Sequence, residues 1–545
     1  MQLTRQLGLL HVFSIAAGAM ISSGLFVLPG LAHARAGPAV ILSYLVAGLL
    51  ATTGMLSTAE LATAMPRAGS DYFFITRSIG PAVGIVAGLF NWVSFSLKAA
   101  FALVGIAAFA RLVLPVDMRA TGVVLGVTFV ALNLIGIRGA ARAQMALVLG
   151  MFALMSLYVA RGLPVVKIEA FVPFAPGGLR AIFSTAGFVF VSYGGLLKIA
   201  SVAEEIRRPG YTIPAGMILA LLVTSLFYTL MVGVTVAVLP ATQLDGSLTP
   251  IADGALALMG RSGQAALGVA AGLAFLTTAN AGIMTGSRYL LAMSRDGVLP
   301  GAIGRIGARF RTPHLAILLT GALVILPLFV DLHILVESAS VGLILTNILA
   351  NVSVIVLRES GVQNYRPIFR TPLYPWLQVG GIFGFAFLLT EMGAEAFAVG
   401  APLSLSGFCL YWFYGRTRVM RESALLHLVH RITARELRTN SLESELKQII
   451  RDRDQIVLDR FDRIVENCPV LDASGPCTRT VGQRTGQRRG SDRYRHRQYP
   501  GQQRGEHPAH PRRGRHPSSA CCHRTNRVEG NPAKFVGGLP GRRHG

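Results

Sequence analysis

Long apolar runs, each broken by a short polar or basic stretch, repeat along the first 415 positions. They fall at residues 9–32, 38–64, 82–110, 120–136, 144–163, 181–203, 214–239, 263–286, 313–330, 334–357, 374–392 and 396–414. About 20 apolar residues are enough for a helix to cross a bilayer. Backbone N–H and C=O groups find no water in lipid, so only helices or a closed barrel span it. Runs of this length without strict alternation exclude the barrel. The pattern predicts an all-α membrane protein of about 12 transmembrane helices. The first run is preceded by Arg5 and contains Ala32-His33-Ala34, a small-x-small triplet of the cleavage type. Its apolar stretch exceeds the roughly 7–15 residues of a signal core, so it is expected to remain as a span.

Charge divides the chain. Residues 1–415 hold 24 Lys+Arg and 14 Asp+Glu, whereas the 130 residues from 416 to 545 hold 27 and 13. A single soluble domain is excluded, and a membrane body with a water-facing tail is expected. The expected divisions are a transmembrane domain at 1–415, a cytoplasmic helical linker at 416–476 and a basic disordered tail at 477–545. The tail holds 15 Arg, 1 Lys, 3 acids and 6 of the 12 His, a composition that cannot bury a core. It reads either as a basic arm on lipid headgroups or as an out-of-frame translation of a regulatory domain. The abrupt shift near Cys477 favours the second.

The net charge of +24 is accounted for by loops facing anionic membrane lipid, so no nucleic-acid partner is expected. With the N-terminus inside, the inner loops before the tail carry 15 Arg and the outer loops carry 7 basic residues. The positive-inside rule then places both termini in the cytoplasm, with the cell membrane as the expected location. The five cysteines have no metal-ligand spacing and suggest no disulfide framework. Neither a metal nor a cofactor is expected.

Two of the runs read as broken helices. The first contains Gly18-Ala19-Met20-Ile21-Ser22-Ser23-Gly24 and then Pro29-Gly30; the sixth contains Gly187 and Ser192-Tyr193-Gly194-Gly195. Glycine disfavours helix by about 1 kcal/mol relative to alanine, so helix unwinds cheaply at such clusters. Breaks in helices one and six, five helices apart, predict a 5+5 inverted repeat. The competing reading is close helix packing through small residues. An unwound turn exposes N–H groups, and the half-helix after it adds a positive dipole end. Together these suit a carboxylate, with Ser22 and Ser23 as hydroxyl donors.

Four stretches in order carry a family resemblance. They are Gly18 to Phe26 with Pro29-Gly30, Ala59-Glu60-Leu61 through Pro66 to Tyr72, Ala203-Glu204-Glu205-Ile206-Arg207-Arg208-Pro209 with Ile213-Pro214, and Ser287-Arg288-Tyr289 with Ala292 to Pro300. The chain resembles the amino acid–polyamine–organocation (APC) transporters over about residues 5–415. The resemblance implies that Ser22, Ser23 and Gly24 cradle a substrate carboxylate. It implies that the carbonyls of Met20, Val191 and Gly194 receive the amino group. Relatives usually carry Gly where Ser22 stands, and many carry a large aromatic near Val191. Phe188, Phe190 and Tyr193 are the candidates to supply that gating ring here, against a plain packing role for each.

Lys98 in the third run and Lys198 in the sixth are costly in a bilayer, by about 2.5–3.5 kcal/mol on insertion scales. They are the candidates for proton coupling or substrate contact. The alternative is a buried ion pair with Glu60 or Glu204. Thr277 and Thr278 are candidate sodium ligands, although threonines in a span are usually helix-bonded. No Walker A, HExxH or GxSxG motif is present, so neither ATP-driven transport nor hydrolysis is expected. The expected activity is secondary transport of amino acids, coupled to protons or sodium or running as exchange. The alternatives are a membrane amino-acid sensor signalling through the tail and a multi-pass membrane enzyme.

Overall fold

The computed structural model describes residues 7–439 apart from short stretches at 66–69, 113–114, 136–140, 197–198, 200–205, 308–309, 311, 363–364 and 419–422. Lys198, Glu204, Glu205 and everything from residue 440 on lie outside the described residues, and with them the expected tail and most of the expected linker. The chain divides into two compact units at Ile456 and Val457, and only the first falls among the described residues.

The described part is helical. Its one strand-like feature is a single bridge between Leu7 and Ile206. Eight helices are long and apolar enough to cross a membrane, and four shorter apolar helices, Leu9–Met20, Gly178–Tyr193, His314–Phe329 and Trp376–Met392, accompany them. This is the build of a multi-span membrane protein.

In chain order the helices used below are α1 (Leu9–Met20), α2 (Ser23–Phe26), α3 (Leu28–Ala36), α4 (Val40–Ala64), α5 (Ser70–Ser78), α6 (Pro81–Ala110), α7 (Met118–Ile135), α8 (Ala141–Gly162), α9 (Gly178–Val189), α10 (Pro209–Val238), α11 (Pro250–Arg295), α12 (His314–Ile325), α13 (Leu332–Glu359), α14 (Trp376–Met392), α15 (Ala394–Leu410) and α16 (Ala424–Thr439). Proline opens α6, α10 and α11, where its missing N–H costs nothing. Asp331 caps α13 by accepting from the His333 N–H at 2.8 Å. α11 bends at Gly260, whose φ of 68° lies in the left-handed region that glycine enters freely. The bend separates a short, partly buried helix from the long apolar one that follows.

α6 lies at the centre, packed against α11, α13, α5 and α12. Its core residues are small where neighbours come close: a Cβ on Gly105 would meet the Phe275 ring at 3.0 Å. α1 packs against α10, α8 and α11. α6 therefore stands behind the two places where the chain leaves helical geometry.

Candidate functional site

α1 stops at Met20. Ile21 is extended (φ −74°, ψ 102°) and Ser22 lies outside helical geometry (φ −157°, ψ −139°) before helix resumes at Ser23. α9 stops at Val189 and runs into a 3₁₀ turn at Phe190–Tyr193, with Gly194 after it. The two interruptions meet. A Cβ on Gly24 would strike the Ser192 side chain, and a Cβ on Gly195 would strike the backbone of Ala19 and Met20. Glycine at both positions is what lets the two broken helices touch.

A broken helix leaves carbonyls that need donors, because an unpaired buried polar group costs about 1–3 kcal/mol. Several of the carbonyls here have named donors. Tyr228 donates to the Met20 carbonyl at 2.8 Å and reaches the Ser192 carbonyl at 3.3 Å. Tyr44 donates to the Gly24 carbonyl at 2.7 Å, joined by the Ser192 hydroxyl at 3.3 Å. Tyr193 donates to the Tyr44 carbonyl at 2.8 Å. Tyr44 and Tyr193 each meet Tyr228 edge to face, both at 5.4 Å.

Lys98 joins the two breaks. Its ammonium Nζ donates to the carbonyl of Ala19 at 3.0 Å and to that of Val191 at 3.1 Å. Both acceptors lie at half-helix C-terminal ends, where the helix dipole is negative. The Val191 N–H is held by Ser340 at 3.1 Å, and Ser340 in turn donates to the Phe188 carbonyl at 2.9 Å. The Gly194 N–H returns to the Val191 carbonyl at 3.2 Å. A small cavity of about 20 Å³, bordered by Lys98, Thr277 and Thr278, adjoins the ammonium. It has room for about one water. The Thr277 hydroxyl is tied to Ala274 at 2.8 Å, as expected for threonine in a helix. The Thr278 hydroxyl is buried without a hydrogen-bond partner among the described residues.

Ser22 and Ser23 are fully buried, and neither hydroxyl has a hydrogen-bond partner among the described residues. Met20, Ser22, Ser23, Gly24, Val191, Gly194 and Lys98 therefore come together around one junction. The three candidate gate rings separate. Tyr193 belongs to the junction. Phe188 sits farther along α9, under the Arg35 guanidinium at 4.0 Å and stacked on His333 at 5.8 Å. Phe190 packs edge-on against Phe385 of α14 at 5.2 Å, away from the junction.

One branch of the alternative reading of Lys98 falls away. Glu60 is not the partner of Lys98. Its carboxylate accepts from Arg358 Nε at 2.8 Å and Nη2 at 2.5 Å, from the Tyr365 hydroxyl at 2.8 Å and from the Thr371 N–H at 2.7 Å. Four donors saturate a carboxylate, and the guanidinium fork matches its geometry better than an ammonium does.

Closures lie on either side of the junction. At the end where α1 begins, Glu60–Arg358 is joined by Tyr72, which donates to Asp296 at 2.9 Å, and by Tyr289, which reaches Asp71 at 3.5 Å. Burial in α5 pushes the Asp71 carboxyl up to about 7. At the opposite end, Arg35 pairs with Glu337 at 2.6 Å and donates to His333 at 3.2 Å, and His33 pairs with Asp245 at 2.6 Å.

Tyr44 and Tyr228 were not singled out from sequence. A lone tyrosine in an apolar run is the signal available for them, because its hydroxyl must find a partner where there is no water. Arg35, His333 and Glu337 carry no comparable local signal.

A family model described as amino acid permease matches residues 7–414. The branched-chain amino acid permease BcaP of Bacillus subtilis (strain 168) is 28% identical over 438 residues, covering 76% of this chain and 94% of that protein. The methylthioribose transporter of the same organism is 27% identical over 443 residues, with 76% and 94% covered. The cationic amino acid transporter 2, vacuolar, of Arabidopsis thaliana is 29% identical over 387 residues, with 66% and 60% covered. With the paired helix breaks and the run of apolar helices, the match over residues 7–414 gives the conclusion that the chain belongs to the amino acid permease family of the APC superfamily, as a multi-pass membrane protein and amino acid transporter.

Proposed function

We propose that this protein is a secondary active transporter that carries an amino acid across the cell membrane by alternating access. In this reading it has twelve spans, two inverted five-helix repeats and cytoplasmic termini. Residues 1–415 form the permease domain, 416–476 a cytoplasmic linker and 477–545 a basic tail. The substrate carboxylate lies against Ser22, Ser23 and Gly24, and its amino group against the carbonyls of Met20, Val191 and Gly194. Named relatives include branched-chain amino acid permeases, so an aliphatic side chain is the lead substrate class.

The observation that carries the reading is the Lys98 ammonium bonded to Ala19 and Val191. A charged lysine ties the two breaks together. The neutral lysine is a weaker donor and lets them separate, which connects a proton to the exposure of the site. Contact between Gly24 and Ser192 means that substrate reaches the Ser22–Gly24 turn only when the two broken helices move apart. Lys198 stands as a second coupling candidate. Thr277 and Thr278 would take part if sodium were the driving ion.

The test is uptake by proteoliposomes from a labelled amino-acid panel, with proton and sodium gradients imposed separately. A proton gradient is expected to drive accumulation of an aliphatic amino acid. Lys98→Met should abolish that accumulation while exchange of internal for external substrate persists. Absence of accumulation of any amino acid under either gradient overturns the proposal. Accumulation by Lys98→Met equal to that of the unaltered protein removes Lys98 from the coupling role.

A further inference from the structure

An apolar cavity of about 350 Å³ lies between α1, α8 and α11. That volume falls in the range of about 300–1,000 Å³ typical of ligand pockets. Its inner wall is Gly18 and Ile21 of α1, Met151 and Leu154 of α8, and Ala274 and Thr277 of α11. Ile21 is the first non-helical residue of the break. The Thr277 hydroxyl is spent on the Ala274 carbonyl, so the inner wall presents no side-chain donor. Gly18 and Thr277 also border the small cavity beside Lys98. One layer of residues therefore separates the apolar cavity from the junction.

Its mouth is formed by Leu147 and Gly150 of α8 and by Val269 and Leu273 of α11, all exposed. Val269 is 63% exposed. These residues lie along two helices that have the length and composition of membrane spans. Exposed apolar positions on such helices meet hydrocarbon rather than water. A cavity with apolar walls stays dry, and protein interiors close voids of this size wherever the backbone allows. At Gly150 the space is open, since an added Cβ there would meet nothing within 4 Å.

We infer that this seam is a binding site for one acyl chain of a membrane phospholipid, inserted between α8 and α11 with its end against Gly18 and Ile21. The chain fills the space between the two helices and supports α1 where it ends. A lipid so placed is positioned to influence how freely α1 moves at the break.

The experiment uses the full chain in vesicles of phosphatidylcholine that carries a photoactivatable diazirine near the end of one acyl chain. Labelled peptides are identified after irradiation. The expected result is labelling of α8 and α11 at the seam, falling severalfold and stepwise across Gly150→Ala, Gly150→Leu and Gly150→Phe. Gly272→Phe is the control, because an added Cβ there also meets nothing within 4 Å but the residue does not line the cavity. It should label as the unaltered protein does. Melting temperatures establish that each variant is folded, and Gly150→Leu carries the test if Gly150→Phe is not. Equal labelling across the series overturns the inference. So does displacement of the label by saturating amino acid, which would assign the cavity to a substrate side chain. The readout is labelling and not uptake, so its failure is distinguishable from a failure of the transport reading.

Discussion

The two ends of the bundle are closed by different chemistry. Where α1 begins, Glu60 is wholly buried with four donors on its carboxylate, and Arg358 is 18% exposed. At the opposite end, Arg35 is 30% exposed against a nearly buried Glu337, and the neighbouring pair of His33 with Asp245 leaves the aspartate 46% exposed. The first closure ties α4 to α13 and to the segment after it, using backbone as well as side chains. The second ties α3 to α13 through one ion pair, one imidazole and the face of Phe188. A buried, saturated pair is costly to break, because either partner is then stranded in low dielectric. A partly hydrated pair exchanges its partner for water at little cost. The difference teaches that the two ends should open with unequal ease, the Arg35 end more readily.

The most severe way to test that asymmetry is Glu60→Gln. It keeps the shape and removes the charge, leaving Arg358 without its counter-ion. The expected loss is about 3–5 kcal/mol, read as a lower melting temperature of the purified protein. Replacing Arg358 by Met in the same chain should recover part of the loss, since the two changes remove one interaction and are not additive. A melting temperature unchanged by Glu60→Gln would show that this closure is no stronger than the other.

The second test uses pH at the same end. The Asp71 carboxyl is held near 7 in the folded protein by burial, against an ordinary 3.8. Between those values the folded form holds a proton that the unfolded form has lost. Stability from this group is therefore fully present below about pH 4, falls as pH rises, and levels off above about 7. The span is on the order of 4 kcal/mol. Asp71→Asn keeps the neutral geometry and should flatten the profile across that window. A profile of the same slope in Asp71→Asn would assign the pH dependence elsewhere.

Local signals made some of this arrangement legible in the sequence. The cluster Gly18 to Gly24 marks where α1 ends, and Ser192 to Gly195 marks where the 3₁₀ turn gives out, because glycine and serine act on the backbone within one turn of themselves. Lys98 was legible as costly, since a cation in an apolar run needs a partner. Its partners were not. The sequence offered an acid, and the fold supplies two carbonyls 79 and 93 residues away. The tyrosine cluster and the Arg35–Glu337 pair were hidden for the same reason. They join residues as much as 302 positions apart, and such pairings leave no periodicity along the chain. The different neighbours of Phe188, Phe190 and Tyr193 were not legible either, because spacing on a helix says which residues share a face and not what that face meets.

The last prediction addresses the weaker closure. Glu337→Gln removes the charge that faces Arg35 and leaves the guanidinium, already partly in water, to be solvated. Arg35 keeps its place over the Phe188 ring, a contact of about 0.5–1 kcal/mol at exposed sites. The expected loss of stability is therefore about 1 kcal/mol or less. It should shrink further at high salt, because screening at 1 M reduces the Debye length to about 3 Å, near the 2.6 Å separation of the pair itself. The Glu60→Gln loss should change little with salt, since water and ions do not reach a wholly buried carboxylate. The measurement is the melting temperature of both variants at low and high ionic strength. If Glu337→Gln costs as much as Glu60→Gln and both are indifferent to salt, the two closures are equivalent and the asymmetry is wrong. A small, salt-sensitive loss at one end beside a large, salt-insensitive loss at the other is what the greater exposure of Arg35 and the fewer donors on Glu337 require.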